Sequence, residues 1–301
     1  MATVAAGAPE AIEGAEGRSV ARQGRGMPGT GTPWWLWVAV AAIVVFCLAP
    51  FYWLLNISLK SGPDLSSSAI IPPHPTLNNF KTIFQNSDFT HALLNSAIVS
   101  LSTTVLALIV GSFCAYALAR LRFPGKFLLL GLILTITTFP PIAIAAPIFK
   151  LWTDIGLFNT IPGLIIPYLT FALPLAIYIL VSFFKEIPKD LEEAALVDGA
   201  TRFQAFTKVV IPLAAPGLAT AGILTFIFAW NEFLLAVTLT STPAARTVPA
   251  AIAFFTGGSE HEEPLGTIAA ASVVISIPLI FLVLFFQKRI VAGLTAGAVK
   301  G

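Results

Sequence analysis

Long apolar segments separated by short polar ones dominate the sequence. Each segment has about the 20 residues that an α-helix needs to cross a hydrocarbon core roughly 30 Å thick. Because no water reaches the backbone there, each segment must satisfy its own hydrogen bonds and is predicted to be helical. The pattern predicts six membrane spans, at about 34–55, 93–119, 127–149, 161–184, 216–239 and 268–286.

Composition leads to the same class of protein. Hydrophobic residues make up 56% of the 301 and charged residues 11%, and the mean hydropathy is +0.87. A soluble domain carries about 25% charged residues, so that class is excluded. The sequence predicts an all-α polytopic membrane protein with a disordered tail at 1–33, a transmembrane domain at 34–290 that includes a polar loop at 185–212, and a second tail at 291–301.

The distribution of basic residues predicts the orientation of the spans. With the N-terminus in the cytoplasm, thirteen Lys and Arg residues fall in inside segments, and four fall in outside segments. Basic residues accumulate on the cytoplasmic side of membrane proteins. Both termini and the polar loop are therefore predicted to be cytoplasmic.

The polar loop begins with signals for a short helix. Pro188 fits the start of a helix, where its missing N–H is harmless. Asp190 and Glu193 have the spacing of a reciprocal capping pair. The spacing predicts a first helix over about 191–198, in which small alanines would let another protein's backbone approach closely.

A turn and a second helix are predicted to follow. Gly199 fits a C′ position that needs positive φ. Thr201 and Gln204 repeat the capping spacing, so a second helix begins there. This helix is predicted to end before Pro212, because the residue before a proline is disfavoured in the α conformation.

The same loop resembles a known motif. Glu193-Ala194-Ala195, then Gly199, then Val209-x-Ile211-Pro212 is similar to the EAA motif of permease subunits of ABC importers. The resemblance implies a coupling helix that inserts into a groove of a separate ATPase subunit; an ordinary amphipathic helix on the membrane surface is the alternative. The ATPase-coupling residues implied are Glu193, Ala194, Ala195, Asp198, Gly199 and Pro212.

Further motifs resemble those of the MalG-type permeases of carbohydrate importers. Within that group the similarity is closest to the permeases of trehalose importers. The motifs are Ala115-Tyr116-Ala117-Leu118-Ala119-Arg120, Gly156-Leu157 with Asn159-Thr160, Asn231-Glu232-Phe233, and Leu294 to Gly301. The resemblance implies import of a sugar, such as trehalose or maltose/maltodextrin. It implies a heterodimer with a second permease, two ATPase subunits that bind the ATP and Mg²⁺, and an extracytoplasmic solute-binding protein. No cofactor is expected in this chain.

Glu232 is the one acidic residue well inside a predicted span. An ionisable group at membrane depth is a functional candidate by default. Three residues are candidates for the transport pathway or its gate: Trp230, Asn231 and Glu232. A structural hydrogen bond is the other reading of Glu232, and an ion-coupled secondary transporter that uses it is the alternative function.

Prolines and glycines interrupt several spans. Pro140 and Pro141 predict a break in the third span, as a kink within the bundle or as a broken helix that lines a pathway. Gly217 and Ala221 have the small-xxx-small spacing that favours close helix packing.

Enzyme chemistry has little support in the sequence. There is no GxxxxGK[ST] phosphate-binding loop and no GxSxG, so the chain is predicted to be neither the ATPase nor another enzyme. The run Glu260-His261-Glu262-Glu263 lacks the spacing of a metal site and is read as a solvated cluster. Cys47 and Cys114 both lie in apolar spans, which argues against a disulfide framework.

Overall fold

A computed structural model describes residues 33–255 and 264–295 of the chain. Within these ranges every regular element is a helix, which confirms the predicted all-α fold. Three predictions concern residues outside these ranges. They are the tail over residues 1–32, the acidic run at 260–263 and the end of the chain at 296–301.

The described residues form thirteen α-helices, with a 3₁₀ turn at Gly62–Asp64 and a π-helical segment at Phe206–Val210. In chain order the helices are α1 (Trp34–Ser58), α2 (Asn78–Gln85), α3 (Ser87–Arg120), α4 (Lys126–Thr138), α5 (Pro141–Asp154), α6 (Ile161–Glu186), α7 (Lys189–Val197), α8 (Arg202–Ala205), α9 (Ile211–Leu213), α10 (Ala215–Asn231), α11 (Leu234–Leu239), α12 (Val248–Ala253) and α13 (Leu265–Thr295).

Four of these helices are long and apolar enough to cross a membrane by themselves: α1, α3, α6 and α13. Two bent pairs also qualify. Helices α4 and α5 meet at 89°, and the stretch from α8 to α9 meets α10 at 75°. The count is up to six if each bent pair is one span, which equals the predicted number, although the second pair runs over 202–231 and not over the predicted 216–239.

Residues up to Leu48 and residues from Ala49 onward form two separate units. In the first unit, the start of α1 carries three exposed tryptophans, Trp34, Trp35 and Trp37. Tryptophan is enriched where a span meets the membrane–water interface. The start of α1 therefore has the character of an interfacial anchor.

In the second unit, α3, α6 and α10 pack together around small residues. Ala115, Ala176 and Ala221 are fully buried among them. A Cβ added at Gly217 would lie 2.4 Å from Cγ of Phe183, so only glycine allows this approach of α10 to α6. Close backbone approach through small residues is the usual way in which membrane helices associate.

The third span is broken where the sequence predicts. Helix α4 ends at Thr138, and α5 begins at Pro141. Phe139 and Pro140 are both extended, because a residue that precedes proline is driven out of the α conformation. On α5, the indole of Trp152 donates to the Gly163 carbonyl (2.6 Å) and fastens the helix to α6.

The fifth span differs from the prediction of one helix over about 216–239. Helix α10 ends at Asn231, and α11 begins at Leu234. Glu232 between them has an extended backbone, with ψ 126°. The pattern of apolar residues continues across the break, so hydropathy gave no sign of it.

A buried lysine organises the loop that follows α1. Lys60 is fully buried, and its ammonium donates to the carbonyls of Ser67 (2.7 Å) and Ala69 (3.0 Å). The ammonium also lies 5.3 Å from the centre of the Trp53 ring. Since a buried charge is costly unless it is hydrogen-bonded, these contacts hold residues 60–69 in one conformation.

The turn before α6 explains the Asn159-Thr160 motif. Asn159 has φ 57°, and its carboxamide oxygen accepts from the backbone N–H groups of Ser241 (3.0 Å) and Thr242 (3.1 Å). The Thr160 hydroxyl caps α6 by accepting from the Gly163 N–H (3.1 Å). Asn159 therefore ties the start of α6 to the segment after α11.

Candidate functional site

The polar loop forms a helical elbow, which we define as residues 187–213. Helix α7 closes with a Schellman motif, in which the Ala200 N–H reaches the Ala195 carbonyl (3.0 Å) and the Gly199 N–H reaches the Leu196 carbonyl (3.1 Å). Gly199 has φ 88°, as the sequence predicts. Asp198 is the exposed C-cap residue of α7, and its N–H bonds to the Ala194 carbonyl.

The second half of the elbow also begins as predicted. The Thr201 hydroxyl accepts from the Gln204 N–H (3.2 Å), and the Gln204 side chain accepts from the Thr201 N–H (2.8 Å). This reciprocal pair is a complete capping box. It satisfies two donors that the short helix α8 would otherwise leave free.

The predicted capping pair at the start of α7 is wrong. The helix begins at Lys189, and Pro188 occupies the N-cap position with no side-chain cap. Asp190 lies inside the first turn, where its negative charge interacts favourably with the positive end of the helix dipole. Glu193 is exposed on the following turn. The extended backbone that Pro188 favours thus starts the helix earlier than the predicted 191.

The predicted end of the second helix before Pro212 is also wrong. After α8 the chain forms a π-helical segment, in which the Ile211 N–H bonds to the Phe206 carbonyl. Pro212 then lies near the start of α9, where its missing N–H is tolerated. The wider π-helical turn accommodates Pro212. The chain then continues into α10, which is bent by 75° from the stretch over 202–213.

Glu192, which the sequence analysis did not single out, fastens the elbow to the bundle. Its Oε2 lies 3.3 Å from Nε of Arg120, and its Oε1 accepts a hydrogen bond from the Tyr116 hydroxyl. Arg120 also donates from Nη2 to the Ile187 carbonyl (2.8 Å). The side chains of Arg120 and Glu192 are only 5% and 12% exposed. We call these four residues the Arg120 anchor.

Aromatic rings pack beside the Arg120 anchor. Phe206, in the π-helical segment, is buried against Tyr116 with ring centroids 4.7 Å apart. The ring centroids of Phe113 and Phe184 lie 5.3 Å and 6.3 Å from the centroid of the Phe206 ring. The elbow is thus joined to α3 and α6 by an ion pair and by aromatic packing together.

Several apolar side chains of the elbow are exposed. Val197 is 87% exposed, Phe203 62% and Leu191 45%, and Ala194 beside them is exposed as well. Ala195 is half-buried. Exposed apolar side chains on an otherwise polar loop are typical of a protein interaction site.

The three pathway candidates lie around the break in the fifth span. The Glu232 carboxylate accepts from the backbone N–H groups of Leu235 (2.8 Å) and Ala236 (3.1 Å) and so caps α11. Trp230 is buried, and its indole donates to the Ile275 carbonyl of α13 (3.1 Å). Asn231 is exposed, and its amide donates to the Ile227 carbonyl (2.8 Å). The break therefore arises from a side-chain cap that hydropathy does not report.

Metal ligation finds no support in the described ranges. No group of three His, Cys, Asp or Glu side chains lies together there as metal ligands would. Cys47 and Cys114 are free thiols.

The bundle of apolar helices defines a polytopic membrane protein, and the exposed elbow is its most polar segment. Residues 107–295 match the family described as binding-protein-dependent transport system inner membrane component. The chain belongs to this family, and the resemblance to MalG-type permeases is confirmed.

Two relatives support the assignment. The trehalose transport system permease protein SugB of Mycobacterium tuberculosis (strain CDC 1551 / Oshkosh) is 56% identical over 266 residues, which cover 88% of this chain and 97% of the relative. The trehalose/maltose transport system permease protein MalG of Thermococcus litoralis (strain ATCC 51850 / DSM 5473 / JCM 8560 / NS-C) is 39% identical over 266 residues, covering 88% and 95%.

A solved structure shares the fold. The chain resembles one subunit in the crystal structure of a bacterial ABC transporter involved in the import of the acidic polysaccharide alginate, with a TM-score of 0.72 and 24% identity. The match covers 84% of this chain and 94% of that one. At this identity the likeness concerns the fold alone.

Proposed function

We propose that the chain is one of two permease subunits of an ATP-driven importer that carries a disaccharide, such as trehalose or maltose/maltodextrin, across the cytoplasmic membrane. Membership of the binding-protein-dependent family supports an importer. The sugar is inferred from the two relatives, whose names specify trehalose and trehalose/maltose.

One observation carries the proposal. The elbow exposes the apolar side chains of Leu191, Val197 and Phe203, while its Glu192 is held to the bundle by a nearly buried ion pair. Without a partner these apolar side chains would be exposed to water, which is unfavourable in free energy. A partner that binds this surface would act directly on α3 through Arg120.

The geometry supports a lever mechanism. When two partner ATPase subunits close on ATP and Mg²⁺, they would displace α7, with Glu193 as a charge contact and Ala194 and Ala195 as the close-packed face. The elbow is stiffened by the Schellman motif at Gly199 and by the capping box at Thr201. It therefore transmits the movement to α3 through the Arg120 anchor and to α10 through the chain itself.

The orientation follows from the charge distribution. The thirteen-to-four ratio of basic residues favours a cytoplasmic elbow, where ATPase subunits are found. A solute-binding protein would then deliver the sugar to the loops at the other end of the bundle. A second permease would complete the translocation pathway.

The state of Glu232 favours ATP over an ion gradient as the energy source. Both carboxylate oxygens accept backbone N–H groups. A proton-coupled transporter needs a carboxylate that is free to exchange its proton with the pathway. Glu232 is instead engaged in holding the break between α10 and α11.

Co-purification and transport assays test the proposal. The full chain is co-expressed with its partner permease and ATPase subunits and purified in detergent with Glu193→Lys or Val197→Asp. We expect both variants to lose the ATPase. Matched controls are Glu186→Lys, at an exposed acid before the elbow, and Ile71→Asp, at a 77% exposed residue of the outer loop.

The same preparation in proteoliposomes separates the two energy sources. Uptake of radiolabelled trehalose or maltose should require ATP and the binding protein and should survive collapse of the proton gradient. A chain that purifies without an ATPase and still transports on a proton gradient would contradict the proposal.

A further inference from the structure

A small basic groove lies at the elbow end of the bundle, between α3, α4 and α6. It encloses about 50 Å³ and is lined by Leu118, Lys126, Phe127, Leu130, Val181 and Lys185. Pockets that bury a small molecule usually measure about 300–1,000 Å³. The groove is therefore too shallow to enclose a sugar, and its occupant must extend beyond it.

Two lysines converge on this groove without an acidic partner. Lys126 is the first residue of α4, and Lys185 lies in the last turn of α6. Within the part of the chain that the structure describes, neither ammonium forms an ion pair. Two like charges at one small site repel each other, so an anion bound between them is stabilising.

The rest of the groove lining is apolar, and it borders the exposed side of α4 at Phe127. Leu118 and Val181 form its buried wall. Phe127, Leu128 and Leu132 of α4 are 76%, 68% and 58% exposed. Exposed apolar side chains on a membrane span face acyl chains. The groove thus has a cationic end beside an apolar face. An anionic lipid is divided in the same way, into a charged headgroup and an apolar acyl chain.

We propose that this groove binds an anionic glycerophospholipid, with its phosphate between Lys126 and Lys185 and an acyl chain along α4. Basic pockets between membrane helices are known to take such headgroups. Lys185 lies two residues before Ile187, whose carbonyl accepts from Arg120. The lipid would therefore sit where α6 enters the elbow and hold that junction in place.

Lipid retention by the intact complex tests the inference. The complex of this permease with its partner subunits is placed in nanodiscs of phosphatidylcholine with increasing phosphatidylglycerol, and retained lipid is counted by native mass spectrometry. We expect Lys126→Gln and Lys185→Gln each to weaken retention about 5-fold, and the double variant about 25-fold. The double arginine variant should restore it.

Matched controls separate this site from general surface charge. Lys81→Gln with Lys150→Gln removes the same charge from two exposed lysines on α2 and α5, outside the groove, and should leave retention unchanged. Excess inorganic phosphate should not displace the lipid, because it lacks the acyl chain.

Three results would overturn the inference. One is equal retention by the Lys126→Gln, Lys185→Gln double variant and the wild type. Another is displacement by inorganic phosphate, which would indicate a simple anion site. The third is loss of the partner permease from the double variant, which would mean that protein carboxylates occupy the groove. Lipid counting requires no transport and can also be done on the permease purified alone, so a failure of this inference is distinguishable from a failure of the proposed importer function.

Discussion

Arg120, at the end of α3, and Glu192, in the elbow, form an ion pair with Nε and Oε2 3.3 Å apart. Both side chains are nearly buried, and each has a second partner, the Ile187 carbonyl for Arg120 and the Tyr116 hydroxyl for Glu192. Removing one member of a buried pair leaves the other charge unpaired. The pair is therefore the point at which the elbow should be most sensitive to substitution.

We expect Glu192→Gln to destabilise the protein, by up to about 3–5 kcal/mol if the Arg120 charge stays buried. Thermal unfolding of the permease purified without the ATPase subunits measures the effect, because Glu193 then has no partner. Glu193→Gln is the matched control, because the neighbouring carboxylate is exposed and makes no such pair. A double Arg120→Met, Glu192→Met variant should recover much of the loss, since no charge is left unpaired. Equal effects of Glu192→Gln and Glu193→Gln would contradict the anchor.

Gly199→Ala should destabilise the elbow by about 1–2 kcal/mol, because a residue with a Cβ is strained at φ 88°. A Cβ at Gly199 would meet nothing within 4 Å, so the effect comes from backbone conformation and not from a clash. Sugar uptake should fall more than assembly, since the strain acts on the lever. Gly199→Val should lower uptake further.

Gly131→Ala in α4 is the control for Gly199. A Cβ there also has open space, but the backbone is helical, so alanine should be neutral or stabilise by up to about 1 kcal/mol. Normal uptake by both Gly199 variants would show that the positive φ is not required.

Glu232→Gln should keep near-normal ATP-driven uptake, because the amide oxygen still accepts one backbone N–H at the start of α11. Glu232→Ala removes the cap and should cost about 0.5–2 kcal/mol of stability. Uptake and thermal unfolding of both variants distinguish a cap from a proton carrier. A proton carrier would fail equally with Gln and Ala, and uptake would then depend on the proton gradient.

Lys60→Met should open the loop over residues 61–69. The substitution keeps much of the side-chain volume but leaves the carbonyls of Ser67 and Ala69 without their donor, at a cost of about 1–3 kcal/mol. Hydrogen exchange of the amides in this loop should accelerate by about 5- to 150-fold. Lys81→Met, at an exposed lysine of α2, should leave the exchange unchanged.

Local signals in the sequence predicted much of the fold. The break at Pro140 and the turn at Gly199 depend on the backbone preferences of single residues, and the capping box at Thr201 depends on a fixed spacing. Each of these is determined within a few residues of the chain.

Features that depend on distant contacts could not be predicted. The Tyr116–Glu192 contact spans 76 positions, and the contact of Arg120 with Ile187 spans 67. The motif from Ala115 to Arg120 contains two of these residues, Tyr116 and Arg120. The sequence around the motif gave no indication of the residues that they contact. The break at Glu232 was missed because a side chain that caps a helix looks, in a hydropathy pattern, like an isolated acid in a span.

The Arg120 anchor also determines which piece of the chain can be exchanged between permeases. A chimera that takes residues 187–213 from another transporter would receive a foreign residue opposite Arg120 and Tyr116, which lie outside the exchanged segment. Under the proposed function, a graft that redirects the protein to a different ATPase must carry the end of α3 together with the elbow. The residues that must be exchanged together therefore lie in two separate segments, the end of α3 and residues 187–213, although the motif that marks the elbow is one continuous segment.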